Sequence, residues 1–471
     1  MGNGKQPEQT TLNRHLKTWH IWALAVGLVI SGEYFGWNYG WDMAGTWGFA
    51  IATAIVTVLY FVFVLSYTEL TCMLPHAGGP YAFASRAFGR MGGMIAGYAT
   101  LIEFLFATPA IAFALGSYIH FLQPSFPVTY TAIAFYVVFT AINILGINIT
   151  AFIGSIVAIL AIVELLVYFS VVGPYVHASN FNANNVSLNA ATIFKSLPYA
   201  IWFYLGIEGI AMVSEEVSEK NRTLSLSRGY ILGFFTLAAL VFLVMMITGG
   251  LPHSSQFNKL DYPIPSAIGS VLGKNQVISK AFAGIGLVGL VASFHAIIIS
   301  YSRQIMALAR GGNLPFFLAK LHPRFRTPHR ALIAGGVVGI VSIVVGRTDL
   351  LIILSVLGAA LMYIISMLSL IRIRKAEPLL RRPYKTFKYM PHIAIALTFI
   401  CLLAIIVTNV TMSIYFFGIM ACLLLLFIAL GVHKKVSTES FNAEHHLADE
   451  VAEIPIMSPQ LAMADKVNGK P

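Results

Sequence analysis

The side chains of this chain that could do chemistry are few, and they sit where charge is expensive. Glu33 interrupts the run VGLVISGEYFGW from Val26 to Trp37, which holds no other charge. Glu208 interrupts PYAIWFYLGIEGIAMV, Glu103 lies in ATLIEFLF, Glu164 in AIVELLVY and His295 in VASFHAII. An ionised acid in hydrocarbon costs several kcal/mol, so such a residue faces a protein interior or a watery cavity and is a candidate for function. A carboxylate there can accept charge-assisted hydrogen bonds from an ammonium, or it can hold a proton. The candidates to carry a proton are Glu33, Glu103, Glu208 and His295, the last because imidazole titrates near neutrality. Each also has a plainer reading. Glu103 and above all Glu164 suit structural acids bonded to a neighbour, and a lone membrane histidine suits hydrogen-bonded packing. Ser300 and Ser302 could contribute to a sodium site, but helical hydroxyls commonly bond back to their own carbonyls.

The patterns of hydrolytic and phosphoryl-transfer enzymes are missing. There is no GxSxG elbow, no HExxH, no intramembrane histidine cluster and no glycine-rich phosphate loop. Cys72, Cys401 and Cys422 lack CxxC spacing and read as small packing residues, so no metal or cofactor is expected. The chain reads as a non-enzyme.

The elements that position these residues are membrane helices. Of 471 residues, 58% are hydrophobic and 10% are charged. Apolar runs of about 20 residues recur along the chain, each able to cross a bilayer. Hydropathy places about twelve spans near 20–41, 47–67, 93–121, 128–146, 151–174, 197–216, 229–249, 281–309, 331–347, 349–371, 391–409 and 412–433. Backbone groups in lipid must be satisfied internally, and runs of this length exclude the alternating ten-residue segments of a β-barrel. The fold class is therefore an all-α integral membrane protein.

The net charge of +11 reflects orientation, not affinity for nucleic acid. With the N-terminus inside, the outward loops keep only Lys195, Lys259, Lys274, Lys280 and Arg347 of the 30 Lys and Arg. That is the positive-inside pattern, and a missed span would scramble it. Residues 1–19 and 435–471 read as cytoplasmic tails around a membrane domain at 20–434, in the plasma (inner) membrane. The first helix reads as retained, since no signal-peptide core precedes it. Phe441, Leu447, Val451 and Ile454 could form a short amphipathic helix in the tail, but a disordered end fits its polarity better.

Two spans carry interruptions. Ser31-Gly32-Glu33 breaks span 1, and Gly206, Glu208 and Gly209 break span 6, five helices later. Interrupted helices at equivalent positions in two halves point to an inverted-repeat transporter with its site at the midplane. On that reading the repeats are 20–174 and 197–371, a LeuT-like 5+5 arrangement, and 391–433 supplies two extra helices.

Three motifs in order carry a family resemblance. Glu69-Leu70, Pro75, Gly78-Gly79-Pro80-Tyr81 and Phe88-Gly89 resemble the ELxxxxPxxGGxYxxxxxxFG signature of the amino acid–polyamine–organocation transporter superfamily. Glu215-Glu216-Val217 with Asn221-Arg222-Thr223 resembles its EEVxNP loop, with Arg222 where proline is usual. Ser302-Arg303, Met306 to Arg310 and Gly312-Asn313-Leu314-Pro315 resemble SRxxxAMARDGxLP. In that superfamily a GxIIGxGIF stretch places small residues at the unwound point, and their N–H groups hold an amino acid's carboxylate. Here Ser31 and Glu33 replace two of those small residues. A side-chain carboxylate then stands where the cargo's would sit, and two anions there would repel. The stretch SGEYFGWNYGW is similar to the ethanolamine permease branch, which implies uptake of a small protonated amino alcohol. The alternative is an amino acid or polyamine permease of the same superfamily, coupled to protons.

The resemblance implies a substrate site at Ser31, Gly32, Glu33, Tyr34, Trp202, Phe203, Gly206 and Glu208. Glu33 would read the amine. Trp202 or Phe203 would close over it by cation–π contact, with Tyr34, Trp37 and Tyr204 also flanking the breaks. Glu208 would touch substrate or brace the unwound backbone. Some proton-coupled relatives carry a lysine in span 5, and the matching position here is near Ala161. Glu69, Glu215 and Glu216 are expected to pair with Arg86, Arg303 or Arg310 as an inner brace. The implied partners are a small amine, membrane lipid and protons as coupling ion.

Overall fold

A computed structural model describes residues 16–146, 151–182, 186–252, 254–272 and 276–429. The helices in chain order are α1 (Thr18–Val29), α2 (Ser31–Tyr34), α3 (Asn38–Met73), α4 (Pro80–Leu122), α5 (Val128–Ile144), α6 (Ala151–Val172) and α7 (Ala190–Trp202). There follow a 3-10 segment (Ile207–Glu216), α8 (Arg222–Gly249), α9 (Pro263–Val271), α10 (Gln276–Arg310), α11 (His329–Val345), α12 (Thr348–Ala376), α13 (Met390–Thr408) and α14 (Val410–Ala429). Among the described residues the only strand-like pairing is an isolated bridge between Leu16 and Val217.

The twelve expected spans all have helical counterparts. Among the described residues, nine stretches are long and apolar enough to cross a membrane, counting α7 and the 3-10 segment as one. The apolar helices α5 and α11 and the interrupted pair α1–α2 supply the rest. Two boundaries differ from hydropathy for a reason of backbone geometry. The outer part of span 1 runs on into α3 through a corner at Gly45, and α4 contains a leading helix that bends into the span at Gly89. Both glycines have positive φ, 65° and 70°, which lets the chain turn without a Cβ clash. The 250–280 loop holds α9, too short for hydropathy to register.

Small residues bring the long helices together, as close packing in lipid requires. A Cβ on Gly358 of α12 would lie 2.6 Å from the Ala99 carbonyl and 2.8 Å from the Glu103 nitrogen of α4. Gly335 and Gly339 of α11 receive the rings of Tyr301 and Tyr136. The outward faces of α6, α13 and α14 remain apolar and exposed, with Leu160, Val163, Leu403, Val407 and Leu425 among them.

The two ends of the bundle are fastened differently. At the basic end, Arg303 pairs with Glu216 at 2.8 Å, as expected. Glu69 instead pairs with Arg374 and also accepts from the Thr386 N–H at 2.7 Å. Arg86 takes Glu377 at 2.6 Å, and Glu215 accepts from the Ala77 N–H at 2.7 Å. At the other end the 254–272 strap is stitched to α3 and α12. Asn38 donates to the carbonyls of Phe257 and Leu260, and Asp261 accepts from the hydroxyls of Tyr39 at 2.8 Å and Thr348 at 2.9 Å.

The expected tails fall largely outside the described residues, which leave out 1–15 and 430–471, and with them the segment from Phe441 to Ile454. Cys72 and Cys401 are buried and Cys422 is exposed.

Candidate functional site at the two helix breaks

The first break has an identifiable cause. The Ser31 N–H does not reach the Gly27 carbonyl one turn back. It donates to Ser293 Oγ of α10 at 3.2 Å, and the Ser293 hydroxyl donates to the Gly27 carbonyl at 2.6 Å. A side chain inserted into the i→i−4 ladder kinks a helix, and here the inserted hydroxyl satisfies both freed groups. One turn follows, Ser31–Tyr34. The chain then leaves the helix through extended Phe35 and through Gly36, whose φ is 91°. Glu33 thus stands on a single turn between two interruptions. It is fully buried, and neither carboxyl oxygen has a hydrogen-bond partner among the described residues. Its electrostatic neighbours include Tyr34 and Tyr204.

The second break has another origin. α7 ends at Trp202, Gly206 adopts the left-handed conformation at φ 99°, and Ile207–Glu216 continue as a 3-10 helix. Ten residues is long for that geometry, whose runs seldom pass three or four and often mark a hinge inside a helix. Glu208 sits in its first turn, and Tyr363 of α12 donates to its Oε2 at 3.0 Å. Tyr363 in turn bonds Tyr60 of α3 at 2.8 Å. Glu103 of α4 faces Glu208. It is fully buried, and its carboxyl has no partner within ordinary hydrogen-bond distance.

The two breaks touch through backbone. A Cβ on Gly32 would lie 2.7 Å from the Trp202 carbonyl and 3.1 Å from the Phe203 Cα. Gly206 faces the Leu28 carbonyl, 3.6 Å from where its Cβ would be. Trp202 crosses this contact: its indole Nε1 donates to the Phe35 carbonyl at 3.0 Å and covers Gly36, and its ring meets Phe35 edge-on at 5.5 Å. Phe203 stacks on Trp37 at 5.8 Å and on Phe49 at 6.0 Å.

Of the expected site residues, Ser31, Gly32, Glu33, Trp202, Phe203 and Gly206 therefore meet at one junction. Tyr34 points from it toward α6, where its hydroxyl donates to Glu164 at 2.6 Å and lies 3.1 Å from the Ala161 carbonyl. Glu164 is thus held by a tyrosine. Glu208 turns toward Glu103 and Tyr363. His295 faces α5, with Nδ1 3.2 Å from the Asn143 amide, two positions along α10 from Ser293. Ser300 and Ser302 bond back to the carbonyls of Ala296 and Ile299. Ser293, Tyr60 and Tyr363 were not singled out by sequence. One signal was present for Ser293: a serine in an apolar helix two residues before a flagged histidine.

Two helices broken beside buried acids, braced by their neighbours, make a place where a small polar solute can be held by backbone and carboxylate together. The family described as Amino acid permease matches residues 16–430. The chain belongs to that family. This permease is 24% identical to a branched-chain amino acid permease of Bacillus subtilis, over 80% of this chain and 84% of the relative. A methylthioribose transporter of the same organism is 24% identical over 84% of this chain and 89% of its own. A low-affinity putrescine importer of Escherichia coli is 25% identical over 62% of this chain and 66% of its own. The permease is accordingly a multi-pass membrane transporter of the amino acid–polyamine–organocation superfamily.

Proposed function

We propose that this permease imports ethanolamine across the plasma (inner) membrane by alternating access, with both termini in the cytoplasm. The observation that carries the reading is Glu33: a buried carboxyl, on one helical turn between two interruptions, with neither oxygen hydrogen-bonded to another residue among those described. A buried carboxylate needs a cation or a proton. An ammonium supplies the first, through charge-assisted hydrogen bonds. The resemblance puts that carboxyl where relatives hold their cargo's own acid group, so a zwitterionic amino acid would meet a like charge. The Leu28 carbonyl beside Gly206 offers the amine a further acceptor, and Trp202 and Phe203 line the junction with aromatic faces.

On this reading the proposed halves, 20–174 and 197–371, rock about the junction and expose it to each side in turn. One positive charge moving down a potential of about 100 mV, inside negative, yields about 2.3 kcal/mol, enough for roughly 50-fold accumulation.

One observation favours a diamine as the second reading. Glu103 and Glu208 are a second acidic centre, and one relative is named a putrescine importer. Competition by ethanolamine, putrescine and neutral amino acids for labelled ethanolamine uptake separates these cargoes. The direct test is Glu33→Gln. The variant is expected to reach the membrane at wild-type level and to lose ethanolamine uptake to background. Uptake like that of the wild type overturns the role of Glu33.

A further inference from the structure

We infer that Glu103 and Glu208 form a proton-binding site that spans the seam between the two proposed halves, and that the carrier closes only with one proton shared between them. This rests on the transporter reading but not on the identity of the cargo.

Glu103 comes from α4 in the first half, and Glu208 from the 3-10 segment in the second. Both are fully buried, and three of their four carboxyl oxygens have no hydrogen-bond partner among the described residues. The ionisable side chains that face the pair from the helices around it are tyrosines: Tyr60 and Tyr67 from α3, Tyr230 from α8 and Tyr363 from α12. No ion pair among the described residues reaches either acid. Two adjacent carboxylates cannot both stay ionised in such a place.

The donors say where the charge rests. Glu208 receives the Tyr363 hydroxyl, and the backbone of the Gly206 turn also supports it. Glu103 receives no comparable donor. The proton therefore rides on Glu103 and faces the Glu208 carboxylate. Tyr60 donates to Tyr363, which donates to Glu208, so this relay ties α3 and α12 to the second break. The site's backbone is fixed as well: Ser355 of α12 donates to the Glu103 carbonyl at 2.7 Å.

When the halves part, each acid meets water. The Glu103 carboxylic acid gives up its proton and leaves two separately hydrated carboxylates. Closing again requires one proton to be taken back from the side then open. The two acids titrate as a unit, and each pH unit above the pair's apparent pKa lowers the closable fraction about tenfold.

The experiment pairs transport with infrared spectroscopy of the purified permease. Ethanolamine uptake by wild-type protein should fall with rising pH, over a range in which the amine stays protonated. Glu103→Gln, whose amide donates as the protonated acid does, should transport with a flat profile. Tyr363→Phe, which removes the hydroxyl donor to Glu208, should move the fall to higher pH. The infrared readout needs no cargo. The wild-type spectrum should contain a carbonyl band of a protonated carboxylic acid that titrates with pH and is missing from Glu103→Gln. The same band in both proteins, or a Glu103→Gln uptake profile that tracks the wild type, overturns the inference. Were ethanolamine the wrong cargo, the infrared result would stand. Were the proton site wrong, the dependence of uptake on Glu33 would stand.

Discussion

The two breaks interrupt two helices that touch, yet they are built in opposite ways. The first is imposed from outside: a serine of α10 occupies one rung of the ladder, and the acid beyond it is left without a partner among the described residues. The second is written into its own backbone by a left-handed glycine and a 3-10 run, and its acid is held by a tyrosine and faced by another acid. A break held open by a neighbour, carrying an unpartnered carboxyl, suits a site that must take and release a cargo. A break fixed by its own geometry, with its acid engaged, suits a hinge that responds to protons. The contrast matters because sequence assigned the amine to Glu33 but left Glu208 open between touching substrate and bracing the backbone.

The glycines test this contrast most severely. Gly32→Ala would press a methyl to 2.7 Å from a backbone carbonyl that has little room to yield. Overpacking of that kind costs about 1–3 kcal/mol and would push the two breaks apart. Gly206→Ala meets only an ordinary contact, the Leu28 carbonyl at 3.6 Å, but must hold φ at 99°, a strain of about 1–2 kcal/mol. Thermal unfolding should show the larger loss for Gly32→Ala, and uptake should vanish there while surviving in part in Gly206→Ala. Equal losses would mean that the breaks do not meet as described.

Ser293→Ala addresses the imposed break alone. Without the hydroxyl, the Ser31 N–H can bond the Gly27 carbonyl directly, and the kink should relax toward regular helix. The unfolding midpoint is expected to fall only slightly, since one hydrogen bond replaces two and each is worth about 1 kcal/mol. Ethanolamine uptake should drop by more than tenfold. A variant that unfolds early and keeps its transport rate per folded molecule would assign Ser293 a purely structural part.

The smallest effect concerns the strap at the less basic end. Burial pushes the Asp261 carboxyl up from the usual 3.8 to about 6, and the nearby Asp349 charge adds to this, against the pull of the Tyr39 and Thr348 hydroxyls. The docked strap therefore binds a proton more tightly than a released strap with Asp261 in water. Linkage then fixes the sign: docking is favoured below about pH 4, and that advantage is lost as pH rises through about 6. Amide exchange over residues 254–272, corrected for its intrinsic pH dependence, should slow modestly from pH 7 to pH 5. Asp261→Asn should flatten the change.

Much of this architecture could be read from local pattern. Hydropathy is a property of neighbours in sequence, so the spans emerged from it, as did the paired interruptions at Ser31 and Gly206 and the isolation of Glu33. What stayed hidden was set by distance along the chain. Arg374, the partner of Glu69, lies 305 residues away, and no local rule prefers it to Arg86. Ser293 differs from the self-bonded Ser300 and Ser302 only in the helix it faces. The facing of Glu103 and Glu208 depends on α12 lying close along α4 over Gly358, a contact that appears only once the bundle is assembled. α9 escaped because nine residues, starting at Pro263, are too few for a span.

The central claim is that the permease supplies the anion at its binding site, and equilibrium binding tests it most directly. Ethanolamine and alanine, titrated by calorimetry into wild-type protein and into Glu33→Gln, should separate cleanly. The account predicts that wild type binds ethanolamine at least tenfold more tightly than alanine, and that Glu33→Gln loses that preference. Alanine binding as tight as that of ethanolamine, in a manner indifferent to residue 33, would contradict it.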